Sequence, residues 1–270
     1  MFPRLKSFAK HSKAVRSVLN WMTQVADPVR AVWGICAYPR FVVDWFRYSR
    51  MPNAEPMRLA DAFPQLHDRR PTTPIDAHYF HVNGWAMRRI VSTRPRFHVD
   101  VGSEAIFANL LGGVVPVMFL DYRPLEARLP GLICLGGDLL RLPFMDRSLS
   151  SVSCLHVIEH IGLGRYGDAL DPAGTRKATR ELARVLGPGG NLFLAAPVGK
   201  PRLCFNAHRI HSAQEIPEMV PELELVEFSG VHDGGRYVEQ VELSAFQNSE
   251  YACGFFWFQR PQDFPSGGVA

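Results

Sequence analysis

With 270 residues, 47% of them hydrophobic and 21% charged, the chain has apolar material for one large globular domain and an appendage, and its composition is neither disordered nor fibrous. A net charge of +4 is too small to single out nucleic acid as a partner, and none is expected. The five cysteines, at 36, 134, 154, 204 and 253, are odd in number and widely spaced, which excludes a disulfide framework or a zinc knuckle as a sequence pattern and suits a reducing, cytoplasmic setting.

The first 50 residues hold nine Lys and Arg against only Asp27 and Asp44. Within 14–48 the apolar residues, Trp21, Trp33 and Trp45 among them, fall at helical intervals interrupted by Pro28 and Pro39. That spacing predicts two or three short amphipathic helices. A helical cap packed on the main domain is the commoner use of such stripes, and peripheral contact with the inner face of a membrane stays open beside it. No apolar run reaches the roughly 18–20 residues that span a bilayer. Prolines 52, 56, 64, 71 and 74 then mark a linker or surface wrap, so residues 1–74 read as an N-terminal helical extension and linker and 75–270 as the main domain.

Asp76 can cap a helix running to Arg89, with His78, Tyr79, His81 and Trp85 on it; these rings either pack or line a substrate mouth. From there apolar runs and turns alternate. Strands are predicted at Phe97–Val101, Val115–Leu120, Leu132–Leu135, Ser151–Leu155 and Asn191–Ala196. Helices are predicted at Glu104–Leu111, around Tyr122–Leu129 and at Pro172–Leu186, the last with Asp171 as N-cap and Gly187-Pro188-Gly189-Gly190 as its stop. Alternation of this kind specifies an α/β, Rossmann-like, mostly parallel sheet covered on both faces. Glu222–Phe228 alternates polar and apolar residues, and Tyr251–Gln259 is apolar throughout its middle, so an antiparallel pair should close the sheet.

Chemistry is concentrated where the predicted strands end. Gly102 breaks the first strand into a helix N-terminus, where free N–H groups can meet an anionic or polar ligand. Asp100, Asp121 and Asp138 fall at or just after the ends of three successive strands, the edge at which open α/β sheets bind ligands. Asp121 lies 21 residues beyond Asp100, the spacing of a carboxylate that accepts hydrogen bonds from a ribose diol. Asp138 can receive the exocyclic amine of an adenine, with Leu139 against the ring. Each acid alone would be a turn residue; their joint placement favours a nucleoside site.

The succession Val99-Asp-Val-Gly, Phe119-Leu-Asp-Tyr, Gly137-Asp-Leu-Leu-Arg-Leu-Pro-Phe, Cys154-Leu-His-Val-Ile-Glu-His-Ile and Leu182-Ala-Arg-Val-Leu-Gly-Pro-Gly-Gly resembles the class I S-adenosylmethionine-dependent methyltransferases. With Pro197-Val-Gly-Lys and Phe205-Asn-Ala-His-Arg-Ile-His it also resembles a little-characterised branch of that superfamily found in bacteria and nematodes. The resemblance implies S-adenosylmethionine as cofactor. It places Asp100, Gly102 and Ser103 beneath the methionine part, Asp121 and Tyr122 at the ribose, Asp138 and Leu139 at the adenine, and His156 near the sulfonium. Two segments depart from the pattern: Gly-x-Gly-x-Gly becomes Gly102-Ser-Glu-Ala-Ile, which brings Glu104 towards the cofactor carboxylate, and the Phe-Asp opening the fourth strand becomes Leu149-Ser150.

Methyl transfer to a hydroxyl also needs a base, for which His156, Glu159, His160, His208 and His211 are candidates, and Arg209 suits an anionic group on a substrate. The resulting expectation is a methyltransferase acting at oxygen or nitrogen of a small-molecule or glycan-like acceptor. The alternative is a methyltransferase-like fold that no longer catalyses and serves as a binding or scaffold protein, membrane-associated through residues 1–50. A nicotinamide-dependent oxidoreductase is a weaker third reading, because the missing glycines count more heavily against it.

Overall fold

A computed structural model describes residues 27–262, which divide into two compact units between Pro74 and Ile75. In the first unit, helix α1 (Pro28–Tyr48) starts where the Asp27 carboxylate accepts the Arg30 N–H at 3.0 Å and Pro28 takes the opening turn. The expected break at Pro39 does not occur. A proline removes one donor and crowds one carbonyl, and the helical spacing of apolar residues on both sides of Pro39 carries a single 21-residue helix through it. The part of that expectation falling on residues 14–26 lies outside the described residues. Gly34 is buried against Leu66 and His67, while Trp33, Ile35, Tyr38, Val42 and Phe46 are exposed. A short 3-10 turn at Leu59–Asp61 is the only other helical piece described here. Among the described residues, no helix is long and apolar enough to cross a membrane.

The second unit is a three-layer α/β structure. Helix α2 (Ala77–Thr93) begins with the Asp76 carboxylate accepting the N–H groups of His78 and Tyr79, and ends on Arg94 in the left-handed region. It buries Val82, Trp85, Ala86 and Ile90 along one stripe. The Trp85 indole N–H and the Arg89 guanidinium both reach Glu227, at 2.7 and 2.8 Å, pinning α2 to the sheet.

Strands β1 (His98–Val101), β2 (Val117–Asp121), β3 (Leu132–Gly136), β4 (Leu149–Leu155) and β5 (Leu186–Val198) run parallel in the order β3-β2-β1-β4-β5. The sheet continues with β10 (Ala252–Gln259), antiparallel to β5, then β8 (Glu224–Val231) and the two-residue β9 (Tyr237–Val238). Side chains alternate across it. Phe193 and Phe255 join Trp85, Ile90 and Phe107 of α2 and of α3 (Ala105–Gly112) on one face. On the other, Leu192, Leu194 and Phe256 join Leu182 of α4 (Gly174–Val185).

Three local expectations need correction. No helix forms over Tyr122–Leu129: the segment is irregular and largely extended, because Arg123 precedes Pro124 and Leu129 precedes Pro130, and a residue before proline is pushed out of the helical region. Helix α4 starts at Gly174 rather than Pro172, since the Asp171 carboxylate accepts the Ala173 N–H at 2.9 Å and holds residues 171–173 in a turn. The fifth strand starts at Leu186 rather than Asn191, so the Gly187–Gly190 run that follows the end of α4 also opens β5; a Cβ on Gly187 would lie 2.7 Å from the Arg147 carbonyl oxygen, so glycine lets the strand enter there. The hairpin of β6 (Arg202–Cys204) and β7 (His208–Ile210) and the one-turn helix α5 (Glu215–Glu218) are too short to show periodicity in the sequence.

Candidate functional site

The C-terminal edge of the parallel strands brings together two groups of residues. The first lies at β1, β2 and β3. Gly102 leaves β1 with φ +72°, its N–H donating to the Leu120 carbonyl at 2.8 Å. A Cβ at that position would sit 3.1 Å from Val157 Cγ1 and 3.8 Å from Asp121 Oδ2, so glycine leaves a cradle between the end of β2 and the loop after β4. Asp121 Oδ1 accepts the Arg123 N–H at 2.7 Å, and its Oδ2 accepts no hydrogen bond among the described residues. Asp138 is exposed, with Oδ1 held by the Leu140 N–H at 2.8 Å. Leu139 beside it is buried in the α4-side core, and Tyr122 is exposed.

Asp100 points inward, fully buried. It accepts hydrogen bonds from the Ser153 hydroxyl and the Ser103 N–H, and burial outweighs them in pushing its carboxyl up to about 6. The Ser103 hydroxyl oxygen in turn accepts the Leu155 N–H at 3.0 Å, tying the β1 turn to the end of β4. Glu104, where the resemblance would have a glycine, has φ −60° and needs no glycine freedom; its carboxylate accepts from the Asn83 amide at 2.9 Å. His98, unnoticed in the sequence, extends this buried network. Its Nδ1 and Nε2 lie 2.7 and 2.8 Å from the hydroxyls of Ser151 and Ser153, and burial drives its pKa down to about 3.

The second group lies at β4, β5 and β10. His156 follows β4 directly with φ +59°, a left-handed conformation that swings its imidazole towards β10. Nδ1 is 3.2 Å from Glu159 Oε1, and Nε2 is 3.1 Å from Cys253 Sγ. Burial opposes charging of His156, yet Cys253 and Glu159 together raise its pKa well above the usual value. The ring stacks on His78 at 5.8 Å and 4°, and meets Tyr79 at 4.9 Å. Glu159 is 1% exposed, and its second oxygen has no partner.

Around this pair, His160 Nδ1–H donates to the Ala207 carbonyl at 2.6 Å, and His208 stacks on Tyr251 at 5.0 Å. Burial lowers the pKa of His208, favouring the neutral ring. Arg209 is occupied by the Ile161 and Asp171 carbonyls at 2.6 and 3.1 Å and by the Thr175 hydroxyl, which staples β7 to the segment before α4. His211 Nδ1 is 3.4 Å from Glu215, with Nε2 buried and unpartnered.

Between the two groups runs the loop after β4. Asp168 accepts the N–H groups of Gly162, Gly164 and Tyr166, and the Tyr166 ring lies 4.4 Å from the Arg123 guanidinium next to Asp121. A separate groove of about 880 Å³, lined by Leu125–Pro130 and by Leu132, Ile133 and Cys134, occupies the place of the missing helix beside β3. Cys253 and Tyr251 are the site residues that sequence reasoning missed. The available signal was direction: an antiparallel strand beside β5 begins at the edge where β5 ends, and Cys253 pairs with Pro197.

A family model described as a Caenorhabditis protein of unknown function, DUF268, matches residues 144–252. No curated protein sequence matches the chain. Among solved structures, the chain is similar to one from a complex of the Haloferax volcanii Trm112 methyltransferase activator, with 19% identity, 69% of this chain and 92% of that chain covered, and a TM-score of 0.49. It is also similar to the N-methyltransferase NodS from Bradyrhizobium japonicum in complex with S-adenosylhomocysteine, with 15% identity, 68% and 87% covered, and a TM-score of 0.47. A third is the YcgJ protein from Bacillus subtilis, with 14% identity, 68% and 99% covered, and a TM-score of 0.47. The sheet order, with antiparallel β10 between β5 and β8, is the mostly parallel sheet closed by an antiparallel pair that the sequence predicts.

Proposed function

We propose that the protein is an S-adenosylmethionine-dependent methyltransferase acting at oxygen or nitrogen of a small-molecule or glycan-like acceptor. The observation that carries this reading is the cradle at Gly102, which a Cβ would fill, beside an Asp121 oxygen that accepts no hydrogen bond among the described residues. Asp121 accepts hydrogen bonds from the ribose hydroxyls, and exposed Asp138 accepts the adenine amine. When bound, the cofactor supplies a methyl group activated on a sulfonium. His156, held on both ring nitrogens, shapes the neighbouring wall. The His208 ring makes no hydrogen bond among the described residues, is kept neutral by burial, and takes the acceptor's proton; Tyr79 and Tyr251 present ring faces and hydroxyls to the acceptor.

The test is thermal unfolding with S-adenosylhomocysteine and, separately, NAD. A ligand at about 100 times its Kd stabilises the native state by about 2.7 kcal/mol. Stabilisation by S-adenosylhomocysteine alone is expected. Stabilisation by NAD alone, or by neither, would overturn the reading.

One observation favours the scaffold reading: α1 exposes Trp33, Ile35, Tyr38, Val42 and Phe46 among Arg30, Arg40, Arg47 and Arg50, the composition of a surface-seeking helix. Co-sedimentation with anionic vesicles, together with no response to S-adenosylhomocysteine, would establish that reading in place of the first.

A further inference from the structure

We infer that His78, His156 and Cys253 form a binding site for a single zinc-class transition-metal ion, independent of whether methyl transfer takes place. One donor atom from each of the three lies within 4.8 Å of the other two. They come from three elements packed together: the first turn of α2, the residue after β4 and the second residue of β10. Two imidazoles and a thiol are the donor set of zinc, cobalt and related ions, and not of magnesium or calcium.

The surroundings are arranged as metal sites are. Glu159 faces His156 Nδ1 at 3.2 Å and holds a proton there, which leaves Nε2, beside Cys253, as the nitrogen that meets an ion. A carboxylate behind a ligating histidine fixes the tautomer and raises the donor's basicity. Glu159 is buried with one oxygen unpartnered, and Asp76 and Asp233 add negative charge around His78. A divalent cation binding here displaces two protons to solvent, one from the Cys253 thiol and one from His156 Nε2. The thiolate and the Glu159 carboxylate then balance its two charges, leaving the buried cluster neutral.

Donors around a tetrahedral zinc are roughly 3.3–3.7 Å apart, given bonds of about 2.0–2.3 Å. The 3.1 Å His156–Cys253 separation opens slightly to admit the ion, and half-buried His78 closes by turning its ring. Three protein donors leave the fourth position for water or an incoming ligand, the arrangement of reactive rather than purely structural zinc sites. Tyr79 and Tyr251 contact the two imidazoles, at 4.9 Å from His156 and 5.2 Å from His78.

The full chain, stripped with chelator, is titrated with ZnCl2 and in parallel with CoCl2. Uptake of one ion per chain is expected, with a thiolate-to-cobalt absorption band in the near ultraviolet. Cys253→Ser should abolish that band. His78→Asn, at a half-buried helix start where folding is retained, should weaken binding at least tenfold, while His81→Asn binds as the parent does. Failure of the folded parent to take up one equivalent would overturn the proposal. So would undiminished affinity in His78→Asn or a surviving band in Cys253→Ser.

Discussion

On the β1–β3 side of the edge, Gly102, Asp121 and Asp138 are held almost wholly by backbone, each carboxylate capping its own turn. On the β4–β5–β10 side, His78, His156, Glu159, His208, Tyr251 and Cys253 lean on one another through side chains that are mostly buried. The first half presents unspent acceptors at an open edge and suits a ligand recognised by its hydroxyls and amine. The second is assembled in advance, so whatever enters it must use groups already in place. One edge thus offers two kinds of recognition, which meet where β1 pairs with β4.

The largest break in this comparison should come from Glu227→Ala. Glu227 anchors Trp85 and Arg89 and thereby sets the helix whose first turn carries His78 and Tyr79. Removing it leaves the Arg89 guanidinium, 17% exposed, without its main counter-ion, at an expected cost of about 3–5 kcal/mol in denaturant unfolding. A loss below about 1 kcal/mol would mean that α2 is held by apolar packing alone.

Next is the buried pair between the halves. His98 has its pKa lowered from 6.5 to about 3, so the unfolded chain takes up its proton first and stability is lost as pH falls below 6.5. Asp100 has its pKa raised from 3.8 to about 6, so the native state keeps a proton that the unfolded chain releases, and its contribution is lost as pH rises through that interval. Between pH 4 and 6 the two slopes oppose. Asp100→Asn should therefore gain about 3 kcal/mol more than the parent between pH 4 and pH 6, at roughly 1.4 kcal/mol per unit. Parallel pH profiles for the two proteins would contradict the assignment.

Asp121→Ala should weaken S-adenosylhomocysteine binding by about 2 kcal/mol, or roughly thirtyfold, through lost charge-assisted hydrogen bonds. Calorimetry should show that loss while the melting temperature without ligand and zinc uptake stay unchanged; a matching fall in zinc uptake would show that the two halves are not separate. The smallest effect expected is on the stability of Gly102→Ala, about 1–2 kcal/mol from placing a Cβ at φ +72° and 3.1 Å from Val157. The same methyl group fills the cradle, so ligand affinity should fall further than stability does.

The frame of the α/β unit was legible because buried parallel strands read as unbroken apolar runs, as Val117–Leu120 and Leu192–Ala196 do. The same property hid the orientation of Asp100: a strand buried on both faces has no polar alternation, and nothing local told that its carboxylate turns inward to Ser153. The helix expected around Tyr122–Leu129 does not form, and the contrary signal was Pro124 and Pro130, whose effect falls on the residue before each. Asp121 and Asp138 could be found from strand ends alone. Cys253 could not, because its nearness to His156, 97 residues away, depends on β10 running against β5.

Ser103 carries a consequence for kinetics. Its N–H and hydroxyl join Asp100 to Leu155, so the turn that would underlie a cofactor is already ordered before any ligand arrives. Little chain entropy remains to be lost there on binding. The amide of Leu155 should then exchange its hydrogen slowly in the free protein and at nearly the same rate in the liganded one, and association should be governed by encounter rather than by ordering of the loop.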